Sequence, residues 1–351
     1  MPPKRRSPHL SHKQLTSLEI CAGAGGQALG LEEASFQHVA VVEIDEWASE
    51  TLRRNRGKMG RHGKWNVLEM DVHELDGTQW RHKVDLFAGG VPCPPFSVAG
   101  KQLGSDDERD LFPQALRLIN EIDPPAVLLE NVKGLSQRRF ESYRREIIQR
   151  LSAMGYSVYW KLLQAADYGV PQLRPRFILV ALKQEYAPYF AWPQPSSTHT
   201  TVGEALLELM SKNGWQGAEK WAEGANKVAP TLVGGSKKHG GPDVGPTRAK
   251  AAWKELGIKG TSIAEDSPSA DFTTDPNVDL PRLTVQMGGV IQGFPQDWMW
   301  AGGKTAQWRQ VGNAFPPPVA KAVGTQIKQA LNKRKPVSAA KPDNELLLEL
   351  Q

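Results

Sequence analysis

Short apolar segments alternate with helix-patterned segments along the first half of this 351-residue chain. Strand-like runs occur at 17–20, 38–45, 65–75, 83–93 and 126–132, and helical spacing follows from Gln27 and over 46–55, 111–122 and 136–155. This alternation predicts an α/β fold with a doubly wound, mostly parallel sheet, in which ligands bind at the carboxyl ends of the strands. The segments 156–165 and 176–182 are predicted to add antiparallel strands at one edge.

The composition and periodicity of the sequence change after Tyr186. Segments rich in Gly, Pro and charge, with little periodicity, extend to about residue 304, and helical spacing returns over 316–330. We therefore predict a first domain over 15–186, a smaller loop-rich domain over 187–304 and a C-terminal segment over 305–332. The basic residues 1–14 and the tail 333–351 lack this patterning and are predicted to be disordered.

Composition excludes several classes of protein. No apolar run approaches the roughly 18 residues that a membrane-spanning helix needs, and the basic start lacks the apolar stretch of a secretory signal. The sequence therefore predicts a cytoplasmic protein that makes no membrane contact. In that compartment a disulfide between its two cysteines, Cys21 and Cys93, is not expected.

Positive charge is concentrated in one part of the chain. The net charge is only +5, but residues 237–259 contain six lysines or arginines against Asp243 and Glu255, in a glycine-rich stretch. Such a segment favours contact with a nucleic acid backbone. The alternative is a solvated surface loop followed by a helix.

A glycine-rich turn and two acidic residues lie at successive strand ends. The turn AGAGG (22–26) permits close approach of a ligand to the backbone and leads into a helix N-terminus. Glu43 can accept hydrogen bonds from both hydroxyls of a ribose, and Asp71 can accept one from an exocyclic amine such as that of adenine. Taken alone, each acid is more simply a solvated loop carboxylate. Together, their order and spacing predict a site for an adenosyl cofactor.

Cys93 follows the fourth strand within the sequence GGVPCPPFSVAG (89–100). Prolines at 92, 94 and 95 exclude helix and stiffen the loop, which would hold the sulfur in a fixed place. Glu130 ends the next strand after four apolar residues, where partial desolvation favours its acid form. The alternatives are that Cys93 is a small buried hydrophobic residue and that Glu130 caps the turn at 131–132.

Six motifs resemble, in order, those of the DNA cytosine-5 methyltransferases. They are CAGAGG (21–26), GGVPCPPFS (89–97), ENV (130–132), QLRPR (172–176), RLTVQMGGVIQGFP (282–295) and GNAFPPPVA (312–320). The resemblance covers nearly all of residues 17–330. It implies an S-adenosylmethionine-dependent methyltransferase fold with a large catalytic domain, a small target-recognition domain and double-stranded DNA in the cleft between them. It also implies that the last helix, after Asn313, packs back on the first domain.

The resemblance gives Cys93 a chemical role. Carbon 5 of cytosine is too poor a nucleophile to take a methyl group from a sulfonium, so a thiolate must first add to carbon 6. By similarity, Cys93 supplies the thiolate and protonated Glu130 forms a hydrogen bond with ring nitrogen 3. Arg174 and Arg176 line the same pocket, and one of them orients Glu130 or the carbonyl oxygen of the base. The target cytosine must be flipped out of the duplex.

The resemblance also implies the remaining site residues and partners. The residues expected to bind S-adenosylmethionine are Ala22, Gly23, Gly25, Gly26, Glu43, Ile44, Asp71, Val72, Pro92 and Asn313. Those expected to contact DNA are Gln172, Lys237, Lys238, Arg248 and Arg282. No metal is expected. We expect a monomeric restriction-modification methylase of the bacterial cytosol, with a companion restriction endonuclease that acts separately.

One position departs from the family pattern, and three other interpretations remain. Cys21 stands where the family usually has phenylalanine, so an expected stacking partner for the adenine is missing. The loop CPPF (93–96) superficially resembles that of amino-group methyltransferases, but the ENV and QLRPR motifs have no role there. An RNA-directed enzyme of the same fold is less consistent with the long variable region, which suits a duplex reader better. A non-enzymatic DNA-binding relative would have lost Cys93 or Glu130, and both are present.

Overall fold

The computed structural model of the protein describes residues 14–56, 65–92, 110–234 and 242–335. Its strands are β1 (Leu15–Ile20), β2 (Phe36–Glu43), β3 (Val67–Glu69), β4 (Leu86–Gly89), β5 (Ala126–Val132), β6 (Tyr156–Gln164) and β7 (Pro175–Lys183). They form one sheet with the order β3-β2-β1-β4-β5-β7-β6. Strands β1 to β5 pair in parallel, and β7 is antiparallel to both of its neighbours. The predicted mostly parallel sheet with antiparallel strands at one edge is confirmed.

Ten α-helices lie within the described ranges. They are α1 (Gly26–Glu33), α2 (Glu46–Asn55), α3 (Phe112–Ile122), α4 (Glu141–Ala153), α5 (Val202–Ser211), α6 (Ala218–Gly224), α7 (Thr247–Glu255), α8 (Val285–Ile291), α9 (Lys304–Asn313) and α10 (Pro317–Leu331). Helix α4 begins later than the predicted residue 136, because residues 133–136 and 138–140 form 3-10 turns instead. None of the helices in the described part of the chain is both long and apolar enough to cross a membrane.

Helices cover both faces of the sheet, as a doubly wound fold requires. Leu128 in β5 is fully buried in one hydrophobic cluster with Val323 of α10, whereas its neighbour Leu129 belongs to another cluster with Ile119 of α3. Successive residues of a strand point to opposite faces, so an uninterrupted apolar run is what a strand covered on both sides needs.

The last helix packs against the first. At Gly30 of α1, an added Cβ would lie 2.6 Å from the Cβ of Ala320 in α10. Only a glycine permits the two helices to approach this closely. Helix α10 thereby returns the end of the described chain to the sheet.

Residues 187–304 contain helices α5 to α8 joined by long loops. Their apolar side chains share a hydrophobic cluster with the sheet region, since Leu206 and Trp253 belong to the same cluster as Leu29, Leu52 and Trp65. The domain boundaries at 187 and 304 therefore stay a prediction. The predicted tails, 1–14 and 333–351, lie almost entirely outside the described residues.

Candidate active site

A cleft opens at the carboxyl ends of the central strands, where the strand order reverses between β1 and β4. This is the position at which open α/β sheets bind ligands. The turn after β1, the end of β2 and the end of β5 form its floor, and α9 forms one wall. Among the residues that line the cleft are Glu19, Cys21, Ala22, Gly23, Gln27, Glu43, Gly90, Glu130, Asn313 and Ala314.

The glycine-rich turn after β1 adopts the backbone conformation that its sequence suggests. Gly23 and Gly25 have φ values of 54° and 88°, in the left-handed region that favours glycine. At Gly26, where α1 begins, an added Cβ would collide with the carbonyl oxygen of Phe315. The turn therefore keeps the start of α1 close against the loop after α9 and leaves the cleft open above it.

Glu43 fixes the shape of this turn. Its Oε2 accepts a hydrogen bond from the backbone N–H of Gly23 at 2.7 Å, and its Oε1 accepts from Ile44 at 3.0 Å and Asp45 at 2.8 Å. Burial raises the pKa of the carboxyl group, and these backbone hydrogen bonds oppose the increase. A buried carboxylate with three backbone donors is a rigid acceptor at the edge of the cleft.

Two buried polar side chains in the cleft were missed by sequence reasoning. Glu19 is fully buried, Gln27 is 3% exposed, and neither side chain has a hydrogen-bond partner. Burial, together with the nearby charge of Glu43, raises the pKa of Glu19 well above its ordinary value. Buried polar groups without partners are rare and costly unless a bound molecule or water satisfies them. Glu19 is the one charged residue of strand β1, LTSLEI, and a charged residue within a predicted buried strand is the signal that could have identified it.

Cys21 is half-buried beside this floor, with a φ value of 51°. Burial raises the pKa of its thiol, and the nearby acids Glu43, Glu19 and Asp71 raise it further. A thiol that resists ionisation is a poor nucleophile. The structure therefore agrees with a non-catalytic role for this cysteine.

The other residues expected at the cofactor lie at the strand ends. Asp71, after β3, accepts hydrogen bonds from the backbone N–H of His73 at 2.9 Å and from its ring Nδ1 at 2.7 Å, and these contacts lower its pKa. Ile44 is 65% exposed, Val72 is buried, and Pro92 is exposed directly after β4. Ile44 follows Glu43 directly and is exposed, whereas Asp71 is half-buried. In the described ranges no three His, Cys, Asp or Glu side chains are grouped to hold a metal ion.

Glu130 and Arg176 form an ion pair at the end of β5. Arg176 Nε lies 2.6 Å from Glu130 Oε1, and the side chains are 11% and 13% exposed. Burial lowers the pKa of Arg176, while the charge of Glu130 opposes this effect. Of the two arginines whose roles the sequence does not distinguish, Arg176 is the one in contact with Glu130.

Arg174 lies elsewhere and is not among the described residues that line the cleft, and its predicted place in the pocket of Cys93, which lies outside the described residues, stays a prediction. It is 1% exposed, and its guanidinium donates to three backbone carbonyls: Leu232 at 2.9 Å, Gly312 at 2.7 Å and Ala314 at 2.9 Å. The Nη1 and Nη2 donors of Arg174 are engaged by the backbone, whereas its Nε has no hydrogen-bond partner among the described residues.

Gln172 is also buried, and its predicted contact with DNA stays a prediction. Its Nε2 donates to Ile291 O and to Gln292 Oε1, both at 3.1 Å, and its Oε1 accepts from Leu232 N at 2.7 Å. The amide is satisfied within the protein and is 0% exposed. A base or phosphate could reach it only if these contacts broke.

Cys93, Lys237 and Lys238 lie outside the described residues, but the chain leading to Cys93 starts beside Glu130. An added Cβ at Gly90 would lie 3.4 Å from Glu130 Oε2. The side chain of Asn131 donates to Val91 O at 2.9 Å and accepts from Val132 N at 2.8 Å. Asn131 therefore satisfies the turn that Glu130 was alternatively predicted to cap.

The basic side chains that could contact DNA differ in how exposed they are. Of those predicted to contact DNA, Arg248 is exposed on α7, and Arg282 is half-buried with its guanidinium 3.8 Å from Asp279. Lys133 and Arg138, directly after β5, are exposed and were not predicted to contact DNA. The sequence pattern favours a helix from about residue 136, and only the 3-10 turns at 133–136 and 138–140 place the two residues in the loop that follows Glu130.

Comparison with known proteins gives a consistent result. Residues 15–329 match the family model for the C-5 cytosine-specific DNA methylase. The chain is 52% identical over 325 residues to the Type II methyltransferase M.NaeI of Lentzea aerocolonigenes, covering 91% of this chain and 76% of that protein. It is 53% identical over 329 residues to the Type II methyltransferase M.NgoMIV of Neisseria gonorrhoeae, covering 91% and 99%.

A solved structure has the same fold. A prophage-encoded Escherichia coli protein, proposed to be a DNA modification methyltransferase, superposes with a TM-score of 0.61 at 22% sequence identity, covering 91% of this chain and 99% of that one. The α/β fold is therefore shared with a protein of low sequence identity.

Proposed function

The chain belongs to the family of C-5 cytosine-specific DNA methylases, and from this we propose that it methylates cytosine in duplex DNA through a covalent adduct of Cys93, with S-adenosylmethionine as the methyl donor. The observation that carries the proposal is the Glu130–Arg176 ion pair, which lies beside the strand leading to Cys93 and at the edge of the cleft. A nucleophile, an acid and a cofactor site would meet there.

The residues of the cleft fit an S-adenosylmethionine molecule. Glu43 offers a fixed acceptor for ribose hydroxyls, and the turn at Gly23 and Gly25 leaves room for the ligand. The buried, unpartnered side chains of Glu19 and Gln27 match an ammonium and a carboxylate, the two charged groups at the amino-acid end of this cofactor. When bound, it would supply an electrophilic methyl group on a sulfonium.

The protein's own residues would prepare the base to accept that methyl group. The Cys93 thiolate adds to carbon 6 of the flipped cytosine, and the ring electrons move toward nitrogen 3. Arg176 holds Oε1 of Glu130 while Oε2, which faces Gly90, carries the proton that relieves charge at nitrogen 3. Once carbon 5 bears the methyl group, its proton would pass to a base from solvent, and the electrons of that C–H bond would re-form the C5–C6 double bond and expel the Cys93 thiolate. Nitrogen 3 would then return its proton to Glu130.

The relatives suggest the biological setting. Both curated relatives are Type II methyltransferases, and M.NgoMIV aligns over almost its full length. We propose that this chain is likewise the methylase of a restriction-modification system. It would act as a monomer on double-stranded DNA in the bacterial cytosol, and a companion endonuclease would cut unmethylated sites separately.

Bisulfite sequencing tests the proposed activity. DNA from a methylation-free host that expresses the protein should carry 5-methylcytosine at one short recurrent sequence. Cys93→Ser should abolish the mark, and Cys21→Ser should retain it. If folded wild-type protein leaves no mark, or if Cys93→Ser leaves the same mark, the proposal is wrong.

A further inference from the structure

We infer that Arg174 is a positioning residue that couples the cleft-lining segment 312–314, at the end of α9, to the segment 229–234, so that a ligand in the cleft changes the dynamics of both. The inference rests on the proposed function for the identity of that ligand. It concerns a residue that the sequence assigned to the catalytic pocket and that the structure places behind it.

The first observation is the geometry of the guanidinium. Nη1 donates to Leu232 O at 2.9 Å, and Nη2 donates to both Gly312 O and Ala314 O, at 2.7 and 2.9 Å. Arg174 therefore joins two segments that are distant in the sequence. Gly312 and Ala314 flank Asn313, and both Asn313 and Ala314 line the cleft.

Stability alone is a weak reason for this arrangement. The guanidinium of Arg174 is 1% exposed and has therefore lost its hydration. Its Nη1 and Nη2 donate hydrogen bonds to carbonyl oxygens that carry no net charge. Burying a charge is costly, and apolar side chains of similar volume often stabilise a core as well or better. The charged guanidinium instead contributes directional hydrogen bonds, because each N–H group fixes the position of one backbone carbonyl.

A second set of contacts joins the same two segments. Gln172 accepts from Leu232 N at 2.7 Å and donates to Gln292, and Gln292 donates to Val311 O at 2.6 Å. The backbones also touch directly, since an added Cβ at Gly234 would lie 2.6 Å from Arg309 O, and one at Gly312 would collide with the backbone of Gly234. The interface has little freedom to slide.

The two segments differ in their relation to the cleft. Asn313 and Ala314 border it, whereas residues 229–234 are not among those that line it. Among the described residues, the contacts of Arg174 and Gln292 give a direct route by which a ligand that orders Asn313 and Ala314 would reach 229–234. If ligand binding reduces the motion of Asn313 and Ala314 and thereby that of residues 229–234, the cleft and this segment are energetically coupled.

Amide hydrogen exchange of the full-length protein tests this coupling, with S-adenosylhomocysteine as the probe ligand. In ligand-free protein, Arg174→Lys should raise exchange about tenfold or more in both 229–234 and 312–315, because a lysine cannot hold all three carbonyls. Arg144→Lys is the matched control. Arg144 is another buried arginine, which donates to Leu135 O at 2.7 Å and Gln137 O at 2.8 Å, so its replacement should loosen 135–137 and leave exchange in 229–234 and 312–315 unchanged.

In wild-type protein the probe should protect 229–234 as well as 312–315, and Arg174→Lys should remove the distant protection while part of the local protection remains. Gln292→Met should show the same pattern to a smaller degree if Arg174→Lys does not fold. The coupling is overturned if 229–234 is unprotected in wild type or stays protected in the Arg174 variant. If wild type does not bind the probe, the cofactor proposal fails, and the ligand-free comparison alone decides whether Arg174 joins the two segments.

Discussion

Glu130 and Arg176 are diagonal neighbours across β5 and β7, and their side chains meet with 2.6 Å between Oε1 and Nε. Glu130 pairs in the sheet with Ile178, so Arg176 lies two residues away on the same face. One carboxylate oxygen is held by this contact, and the other faces Gly90, three residues before Cys93. The two oxygens therefore have separate tasks in the proposed reaction.

Glu130→Gln should lower kcat by about 10²- to 10⁴-fold, the usual range for loss of a general acid. The amide keeps the shape of the side chain but has no acidic proton, so affinity for S-adenosylhomocysteine should stay within about twofold. Single-turnover methylation and calorimetry measure the two quantities. Wild-type kcat in a folded Glu130→Gln variant would remove Glu130 from the mechanism.

In the presence of S-adenosylmethionine, DNA that carries 5-fluorocytosine at the methylated site should trap the wild-type protein in a denaturation-resistant adduct, because after methyl transfer the fluorine on carbon 5 cannot leave as a cation. Cys93→Ser should abolish trapping, since an alcohol is a far weaker nucleophile than a thiol at neutral pH. Cys21→Ser is the matched control and should still be trapped, because the pKa of the Cys21 thiol is raised by burial. An adduct that survives Cys93→Ser, seen by denaturing electrophoresis, would refute covalent catalysis by Cys93.

Glu43→Gln and Asp71→Asn should each weaken S-adenosylhomocysteine binding by about 1–3 kcal/mol, the range for a lost hydrogen bond to a charged group. The amide variants are preferable to alanine at position 43, where Glu43 also accepts from Gly23, Ile44 and Asp45. Titration calorimetry measures the loss. Unchanged affinity in both variants would contradict the placement of the ribose and adenine.

Replacing Lys133 and Arg138 by glutamine should weaken binding to all duplexes and reduce the slope of log K against log salt by about 0.9 for each phosphate that the variant no longer neutralises. Both residues are exposed in the loop after Glu130. Arg145→Gln is the control, because Arg145 is exposed on the neighbouring helix α4 but paired with Glu141. Fluorescence anisotropy at several salt concentrations decides the point, and an unchanged slope would exclude these residues from the DNA surface.

Stability should fall as the pH decreases from about 6.5 toward 4, partly because of His38. Its imidazole is buried between Ser17 and Ala28 O, and burial lowers its pKa to about 4. The unfolded chain, with an ordinary histidine pKa of about 6.5, binds the proton more tightly, which costs up to about 3 kcal/mol at the lower end of this range.

His38→Gln should remove this part of the pH dependence in urea unfolding at pH 7 and pH 4.5. His199→Gln, which replaces a histidine whose side chain is 44% exposed, is the control for replacing an imidazole by an amide outside the core. Equal pH dependence in wild type and His38→Gln would show that His38 does not contribute.

The mostly parallel sheet and the glycine-rich turn could be predicted from the sequence because both depend on local patterns. Apolar runs such as AVLLENV specify strands buried on both faces, and a left-handed turn specifies glycine. The role of Arg174 could not be predicted in this way. Its burial depends on Leu232, Gly312 and Ala314 converging from distant parts of the chain, and a motif alone does not show which of its arginines faces the cleft.

The close fit of Gly234 against Gly312 limits how this enzyme could be given a new target sequence. A transplant of the whole region 187–280 would carry Gly234 and Leu232 into a recipient while leaving Gly312 and Arg174 behind. The recipient must therefore have a glycine at the position of Gly312 and an arginine at the position of Arg174. Otherwise the incoming segment would displace the end of α9, which lines the cleft. Splice points placed after 234 would leave this fit unchanged, so the loops predicted to recognise the target could be exchanged without altering the contact between Gly234 and Gly312.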